Sequence, residues 1–260
     1  MSKTNIKEEV YRDITSWRMK TNNKECPICH EETDHYIPVV WDFHSNMPQI
    51  ENYHYYQCFH CGCFFLDEFR NWTPEMYSER IYNADYAKTD PAFNGLRAYR
   101  LLPNIIMHIK RHPEISRMDK DKIQILDYGG GTGILADLLK EEGYKNSYCY
   151  DPYGRIDIEP LHNSFNVVIA IEVLEHIINA DSLWNEISSK LKQGGLFIAS
   201  TDLYQTHYNL QSWYYANPRA GHCVLYTEKA LNLIAKKYHL LYLNHIYATG
   251  DTTLHLFKKY

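Results

Sequence analysis

From residue 122 to residue 259 the apolar positions fall into short dense runs separated by amphipathic stretches. KIQILDY (122–128), NSYCYD (146–151), FNVVIAIE (165–172), LFIASTD (196–202), LLYLNHIYA (240–248) and TTLHLFKK (252–259) have the length and the β-branched or aromatic content of strands. ILADLLKEEG (134–143), ADSLWNEISSKLKQGG (180–195) and TEKALNLIAKKYH (227–239) repeat their apolar residues with helical spacing. Strands alternating with helices of this length predict parallel pairing through crossover helices, hence an α/β doubly wound sheet. The last two strands have no helix between them, so they are expected to form an antiparallel hairpin around Gly250 and Asp251. Upstream, LRAYRLLPNIIMHIKRH (96–112) places Leu96, Leu101, Ile105, Ile106 and Ile109 for a helix facing a core, with Pro103 predicting a kink or a division into two helices. Residues 1–20 carry a weaker amphipathic pattern at Val10, Ile14 and Trp17, read as a short helix.

The first quarter of the chain lacks this order and holds cysteines instead. Five of the seven, Cys26, Cys29, Cys58, Cys61 and Cys63, lie there. With no secretory leader evident in MSKTNIKEEVYRD and no apolar run of roughly 18 residues, the reading is a cytoplasmic chain with no membrane association, in which close thiol pairs imply metal before disulfide. Cys26-Pro-Ile-Cys29 and Cys58-Phe-His-Cys61 are two C-x2-C knuckles, each able to grip one ion from a tight turn. Together they complete a closed tetrahedral site of the structural zinc kind. The expectation is a zinc ribbon with those four ligands, His60 and Cys63 being nearby competitors; a set of buried metal-free thiols is the plainer reading. The chain then divides into an N-terminal helix and ribbon module (1–66), a helical connector or cap (67–118) and an α/β domain (119–260).

Four of the twelve glycines stand within ILDYGGGTG (125–133), at the end of the first strand of that domain. Glycine there permits positive φ and close approach of a ligand to the backbone, and the following helix start offers amides to it. Asp151 ends the second strand, placed to accept from two ribose hydroxyls. A dinucleotide is one candidate ligand, since Gly131, Gly133 and Ala136 satisfy G-x-G-x-x-A. Asp127, just before the glycines, favours a ligand with an ammonium group over a pyrophosphate. A tight turn without a ligand is the bland alternative.

With Asp127, the glycines, Asp151, FNVVIAIEVLEHI (165–177) and LKQGGLFIAS (191–200), the sequence resembles the class I S-adenosylmethionine-dependent methyltransferases over roughly residues 95–260. The resemblance implies a Rossmann-like sheet with an antiparallel last strand and S-adenosylmethionine as cofactor. It further implies that Asp127, Gly129, Gly130, Gly131 and Gly133 line its methionine end, Asp151 its ribose, and Glu172 the region of the sulfonium. One departure is that PYGRIDIEPLHNS is too short for the usual helix, third strand and adenine loop, so the third strand is abbreviated or displaced and no adenine-binding residue is named.

Methyl transfer needs an oriented nucleophile and, for a hydroxyl or activated carbon, a base. His176, in Glu172-Val-Leu-Glu175-His176, is one candidate. The same pattern supplies metal ligands in ubiquinone-pathway O-methyltransferases and small-RNA 2′-O-methyltransferases, which implies a divalent ion such as Mg2+ at Glu172, Glu175 and His176 as a second reading beside simple lining of the site. His222 is the other candidate base. It closes an aromatic insertion, LYQTHYNLQSWYYANPRAGH, in which Trp213, Tyr214 and Tyr215 are expected to wall or cage a substrate; similar methyltransferases carry Gly-His at this point. Anchoring of the loop is the plainer role for His222, and His207 is a third candidate. Tyr77, Tyr82 and Tyr86 fit packing or closure over the cofactor, and Cys149 and Cys223 fit buried small apolar positions.

An N-terminal zinc module before such a domain is similar to arrangements in small-molecule methyltransferases and in zinc-bearing ribosomal RNA guanine methyltransferases. The net charge of −5 and pI near 6.3 are wrong for a polyanion partner, for which a domain pI above about 9 is expected. The expected function is therefore methylation of a small molecule, such as a sugar, a nucleotide-linked sugar or a secondary metabolite, at oxygen or carbon ahead of nitrogen. An RNA methyltransferase and a non-catalytic cofactor-binding interaction protein are the competing readings.

Overall fold

The computed structural model describes residues 23–39, 53–158, 162, 164–247 and 252–260. The helix expected within 1–20 and the turn at Gly250-Asp251 lie outside them. Six strands form the main sheet: β6 (Gln124–Tyr128), β7 (Asn146–Tyr150), β8 (Phe165–Ile171), β9 (Leu191–Ser200), β11 (Leu240–Tyr247) and β12 (Thr253–Lys259). Their order is β11-β12-β9-β8-β6-β7. β6, β7, β8 and β9 pair in parallel, whereas β12 runs antiparallel to both β9 and β11. This is the doubly wound Rossmann-like sheet with its terminal hairpin.

Alternation along the strands decides what covers each face. Ile125, Val167, Ile169, Leu196 and Ile198 point to one side, where α3 (Leu96–Arg111) buries Leu101, Ile105 and Ile109 and α4 (Ile134–Glu141) buries Leu135 and Leu139. Leu126, Val168, Ala170, Phe197 and Ala199 point to the other, against Trp184 and Ile187 of α5 (Ala180–Lys190) and Leu231 and Ile234 of α6 (Glu228–Lys237). The connector helix α3 is thus part of the sheet's own core.

Three local expectations are corrected. α3 passes through Pro103 as one helix rather than two, its buried face holding it together on both sides of the proline, and Leu96 is exposed instead of core-facing. The stretch LKQGG belongs to β9 and not to the preceding helix, which stops at Lys190. Gly194, at φ 75°, sits in the bulge that lets Leu191 pair with Phe165 and Leu196 with Val167. Trp213 and Tyr215 are buried rather than lining the cavity described below, Trp213 against Tyr204, Tyr208 and Tyr215, and Tyr215 against Trp213 and His222, while Tyr214 is exposed.

Among the described residues no strand stands between β7 and β8. Instead Ile156 bridges to Tyr150, and Asp157 exchanges two bonds with Cys149 along the edge of β7. The abbreviated third strand takes this form. No helix among the described residues is long and apolar enough to cross a membrane.

The cysteine knuckles lie between β1 (Lys24–Glu25) and β2 (Glu32–Thr33), and between β4 (Tyr53–Gln57) and β5 (Phe64–Leu66). β3 (Tyr36–Val39), β4 and β5 form an antiparallel sheet completed by β10 (Val224–Leu225), a strand from far along the chain. The order is β10-β5-β4-β3, so the ribbon shares both a sheet and a hydrophobic core with the α/β half. Between the ribbon and α3 lie two short helices, α1 (Pro74–Arg80) and α2 (Tyr86–Thr89).

Candidate functional site

A cavity of about 300 Å³ opens at the carboxyl ends of β6, β7 and β8, the place where a parallel sheet offers loops and helix starts to a ligand. Asp127 forms its floor. The residue sits in β6, paired to Cys149 on one side and Ile169 on the other, and is only 2% exposed. Its Oδ2 has no hydrogen-bond partner, and burial with the nearby Asp151 charge pushes its pKa up to about 7. A buried carboxylate left in this state fits a cationic partner. The glycine turn makes room for it: a Cβ on Gly130 would fall 2.2 Å from Asp127 Oδ2.

Asp151 fastens the next turn to this one. Its Oδ2 accepts from the Gly131 amide at 2.8 Å and its Oδ1 from the Tyr153 amide at 2.8 Å. Each oxygen keeps a further lone pair for a ligand hydroxyl. An orphaned acceptor beside a glycine cradle, with a second acid at the neighbouring strand end, fits an amino-acid ammonium and a ribose, the two polar ends that S-adenosylmethionine presents.

Glu172 stands on the cavity wall at φ 52°, a left-handed conformation uncommon for a glutamate. Its amide donates to Ser200 Oγ at 2.9 Å, its Oε1 accepts from the same hydroxyl at 2.6 Å, and its Oε2 accepts from Tyr215 Oη at 3.1 Å. Glu172 is not among the ligand-capable groups that cluster with His176, so the expected ion site at Glu172, Glu175 and His176 is not assembled as such. What comes together is Glu175, His176 and His222, one ligand-capable atom of each lying within 4.8 Å of the others.

Glu175 is fully buried with neither carboxyl oxygen hydrogen-bonded, and burial next to Glu172 raises its pKa well above the ordinary value. Its Oε1 lies 3.6 Å from His176 Nε2. Burial drives His176 well below the usual histidine range, helped by His222 and Arg97, and burial lowers His222 as well. Burial thus favours the neutral form of all three groups. Two neutral imidazoles beside a carboxyl can accept a proton from a substrate or hold a metal ion.

His176 lines the cavity, and His222 sits behind it with its ring edge-on at 4.9 Å. His222 Nδ1 donates to the Tyr215 carbonyl at 2.7 Å, which leaves Nε2 as an acceptor. His207 is exposed on the loop, away from the cavity. Tyr82 and Tyr86 line the wall, whereas Tyr77 packs against Trp72. Sequence reasoning missed three wall residues. Arg97, in the first turn of α3, makes two 3.0 Å bonds to Asp90, and Tyr153 stacks on Tyr82 with centroids 5.0 Å apart. An ion pair between a turn and a helix start carries no periodic signal by which it could have been found.

Away from this cavity the four knuckle cysteines converge. Cys26, Cys29, Cys58 and Cys61 bring their sulfurs within 4.8 Å of one another, at 3.6 Å for Cys26 to Cys61 and 3.4 Å for Cys29 to Cys58. Tetrahedral zinc with bonds near 2.3 Å separates its sulfurs by about 3.8 Å, so the set fits such an ion. Cys63 is a further, buried thiol, 3.4 Å from both Cys26 and Cys61, and the side chain of His60 is exposed.

Residues 100–243, more than half of the chain, match the family described as methyltransferase domain. A ubiquinone biosynthesis O-methyltransferase of Rickettsia typhi (strain ATCC VR-144 / Wilmington) is 31% identical over 119 residues, 37% of this chain and 46% of that protein. One of the same description from Bartonella tribocorum (strain CIP 105476 / IBS 506) is 26% identical over 132 residues, 42% of this chain and 53% of that protein. The chain spans about half the length of the curated relatives it matches. A solved structure of Burkholderia thailandensis 1,6-didemethyltoxoflavin-N1-methyltransferase superposes with a TM-score of 0.47 at 14% identity, covering 78% of this chain and 96% of that one. With the family match running through β6, its glycine turn and β8, the chain belongs to the methyltransferase-domain family.

Proposed function

We propose that the protein methylates an oxygen of a small-molecule acceptor, for which a sugar, a nucleotide-linked sugar or another hydroxylated metabolite is the class of choice. The observation that carries this reading is one cavity in which the Asp127, glycine-turn and Asp151 constellation meets a neutral histidine, His176. The relatives described as ubiquinone biosynthesis O-methyltransferases support oxygen as the accepting atom. The net charge of −5 weighs against RNA as the substrate.

Asp127 holds the ammonium of the cofactor, Gly129, Gly130, Gly131 and Gly133 leave room for its methionine end, and Asp151 takes the ribose hydroxyls. When bound, the cofactor supplies an electrophilic methyl on a sulfonium. Tyr82, Tyr86 and Tyr153 exclude water from above, and Glu172 is fixed by Ser200 and Tyr215 at the strand end. His176 takes the proton of the acceptor hydroxyl, with Glu175 and the edge-on ring of His222 packed behind it. A zinc ion held by Cys26, Cys29, Cys58 and Cys61 in a closed thiolate site is structural and takes no part in the transfer.

Calorimetric titration with S-adenosylhomocysteine, run beside NAD and NADP, tests the ligand. Binding of the first alone is expected, and Asp151→Ala should weaken it about a hundredfold, the loss of two charge-assisted hydrogen bonds. Binding of a dinucleotide alone would overturn the reading. Transfer of a labelled methyl group to hydroxylated acceptors, lost in His176→Gln with cofactor affinity retained, tests the base.

A further inference from the structure

The thiol ribbon and the histidine pair are joined by a short run of bonds that neither site needs for itself. Val224 and Leu225 pair antiparallel with Phe65 and Phe64, and the Leu66 amide donates to the Cys223 carbonyl at 2.9 Å. One residue earlier, Tyr55 donates its hydroxyl to the His222 carbonyl at 2.5 Å. Tyr55 comes from β4, the strand that runs into the second knuckle at Cys58, and it is completely buried. Burial raises its pKa well above the usual phenol value, so the hydroxyl stays a donor. On the far side of β10 the Cys223 amide donates to the Glu175 carbonyl at 2.7 Å. Thr227 closes the loop by donating to the carbonyl of the knuckle residue Cys61 at 2.6 Å while it caps α6.

The backbone at 222–223 is therefore held between the ribbon and the Glu175-His176 turn. His222 has its carbonyl fixed by Tyr55, its amide bonded to Asn217 and its ring bonded to Tyr215. Its place against His176 depends on all three. A tyrosine reaching from a metal knuckle's own strand to this carbonyl is more than the ribbon's fold requires, because β5 already pairs with β10 through main-chain bonds.

We infer that the ribbon serves as the mount of the histidine pair, with Tyr55 as a positioning residue that sets His222 against His176 through the 222–223 backbone. The inference rests on the reading that this pair serves the methyl transfer, but its geometry is measurable without turnover. Metal loading of the knuckles then tunes the site at a distance, by keeping β4 and β5 in register with β10.

The test uses the full zinc-loaded chain carrying the single substitution Tyr55→Phe, which removes one oxygen and keeps the buried ring. In protein labelled with 15N-histidine, the ring signals of His222, assigned by their loss in His222→Gln, are expected to move in Tyr55→Phe. The dissociation constant for S-adenosylhomocysteine should stay within about twofold while methyl transfer falls about tenfold, as for loss of one buried hydrogen bond to a positioned group. Chelation of the knuckle metal from the unsubstituted chain should move the same ring signals, and this arm needs no variant to fold. A His222 spectrum in Tyr55→Phe that superimposes on the parent's would overturn the inference. So would a loss of cofactor affinity in step with turnover, which signals general loosening. If the ring signals move and transfer does not change, the mount stands and the catalytic reading of the histidine pair falls.

Discussion

The knuckles and the glycine turn solve opposite problems with similar parts. Both are tight turns that follow or join strands, and both gather groups that water would otherwise solvate. In the ribbon, sulfurs from two turns lie 3.4–3.6 Å apart, so that an ion bound there would be enclosed by its own ligands. At the end of β6 the carboxylate of Asp127 faces a lined space with one oxygen unpartnered, so its partner can come and go. The closed site makes a fold and the open one makes a binding equilibrium. What separates them is less the ligand chemistry than whether every donor is spent on the same atom.

The sharpest way to break this comparison is to remove the closure. Cys26→Ser combined with Cys61→Ser should abolish zinc binding and loosen residues 23–66 first, seen as loss of metal by elemental analysis and early amide exchange in that segment. A full equivalent of zinc retained in the double variant would refute the ligand set.

The open site makes a prediction of opposite sign. The Asp127 carboxyl, normally near 3.8, titrates at about 7 in the folded protein, so folding takes up a proton between those values. Its cost to stability is absent below pH 4, grows as the pH rises to 7 and is full above it. Asp127→Asn should therefore stabilise the ligand-free protein at pH 8, by up to about 4 kcal/mol, while leaving pH 4 stability unchanged and weakening S-adenosylhomocysteine binding at least about tenfold. Denaturant titrations of the two proteins across this range check it; parallel curves would mean that the carboxyl is not buried unpaired.

A smaller change probes the seam between the regions. Thr227→Ala removes both the α6 cap and the bond to the Cys61 carbonyl, and should cost about 1–2 kcal/mol in urea unfolding without loss of zinc. A change below about 0.5 kcal/mol would leave the main-chain pairing of β5 with β10 as the sufficient link.

The strands of the α/β half, their terminal hairpin and the shortened connection after β7 were legible because each is written in local periodicity or in a length that leaves no room. The glycine turn and Asp151 were legible because their spacing follows from strand ends that the pattern had already located. β10 was not, since two residues have no period, and Val224 and Leu225 read equally well as the lead-in to α6. The same holds for Tyr55, whose partner lies 167 positions away. Of the two readings that Pro103 allowed, the division into two helices fails because the core face of α3, with buried Leu101, Ile105 and Ile109, spans the proline. The aromatic loop was misread because an aromatic cluster can serve its own packing as readily as a ligand, and only burial tells Trp213 from Tyr214.

The strand that β10 lends to the ribbon has a consequence for how the chain emerges from the ribosome. The knuckles and β5 are made well before β10, and β5 cannot receive that neighbour until residue 225 has been added. At about 5–20 residues per second that interval is roughly ten to thirty seconds, during which one flank of the nascent ribbon presents unpaired amides and carbonyls. The ribbon is thus translated before the strand that completes its sheet, and its closure is timed by the synthesis of the half it supports.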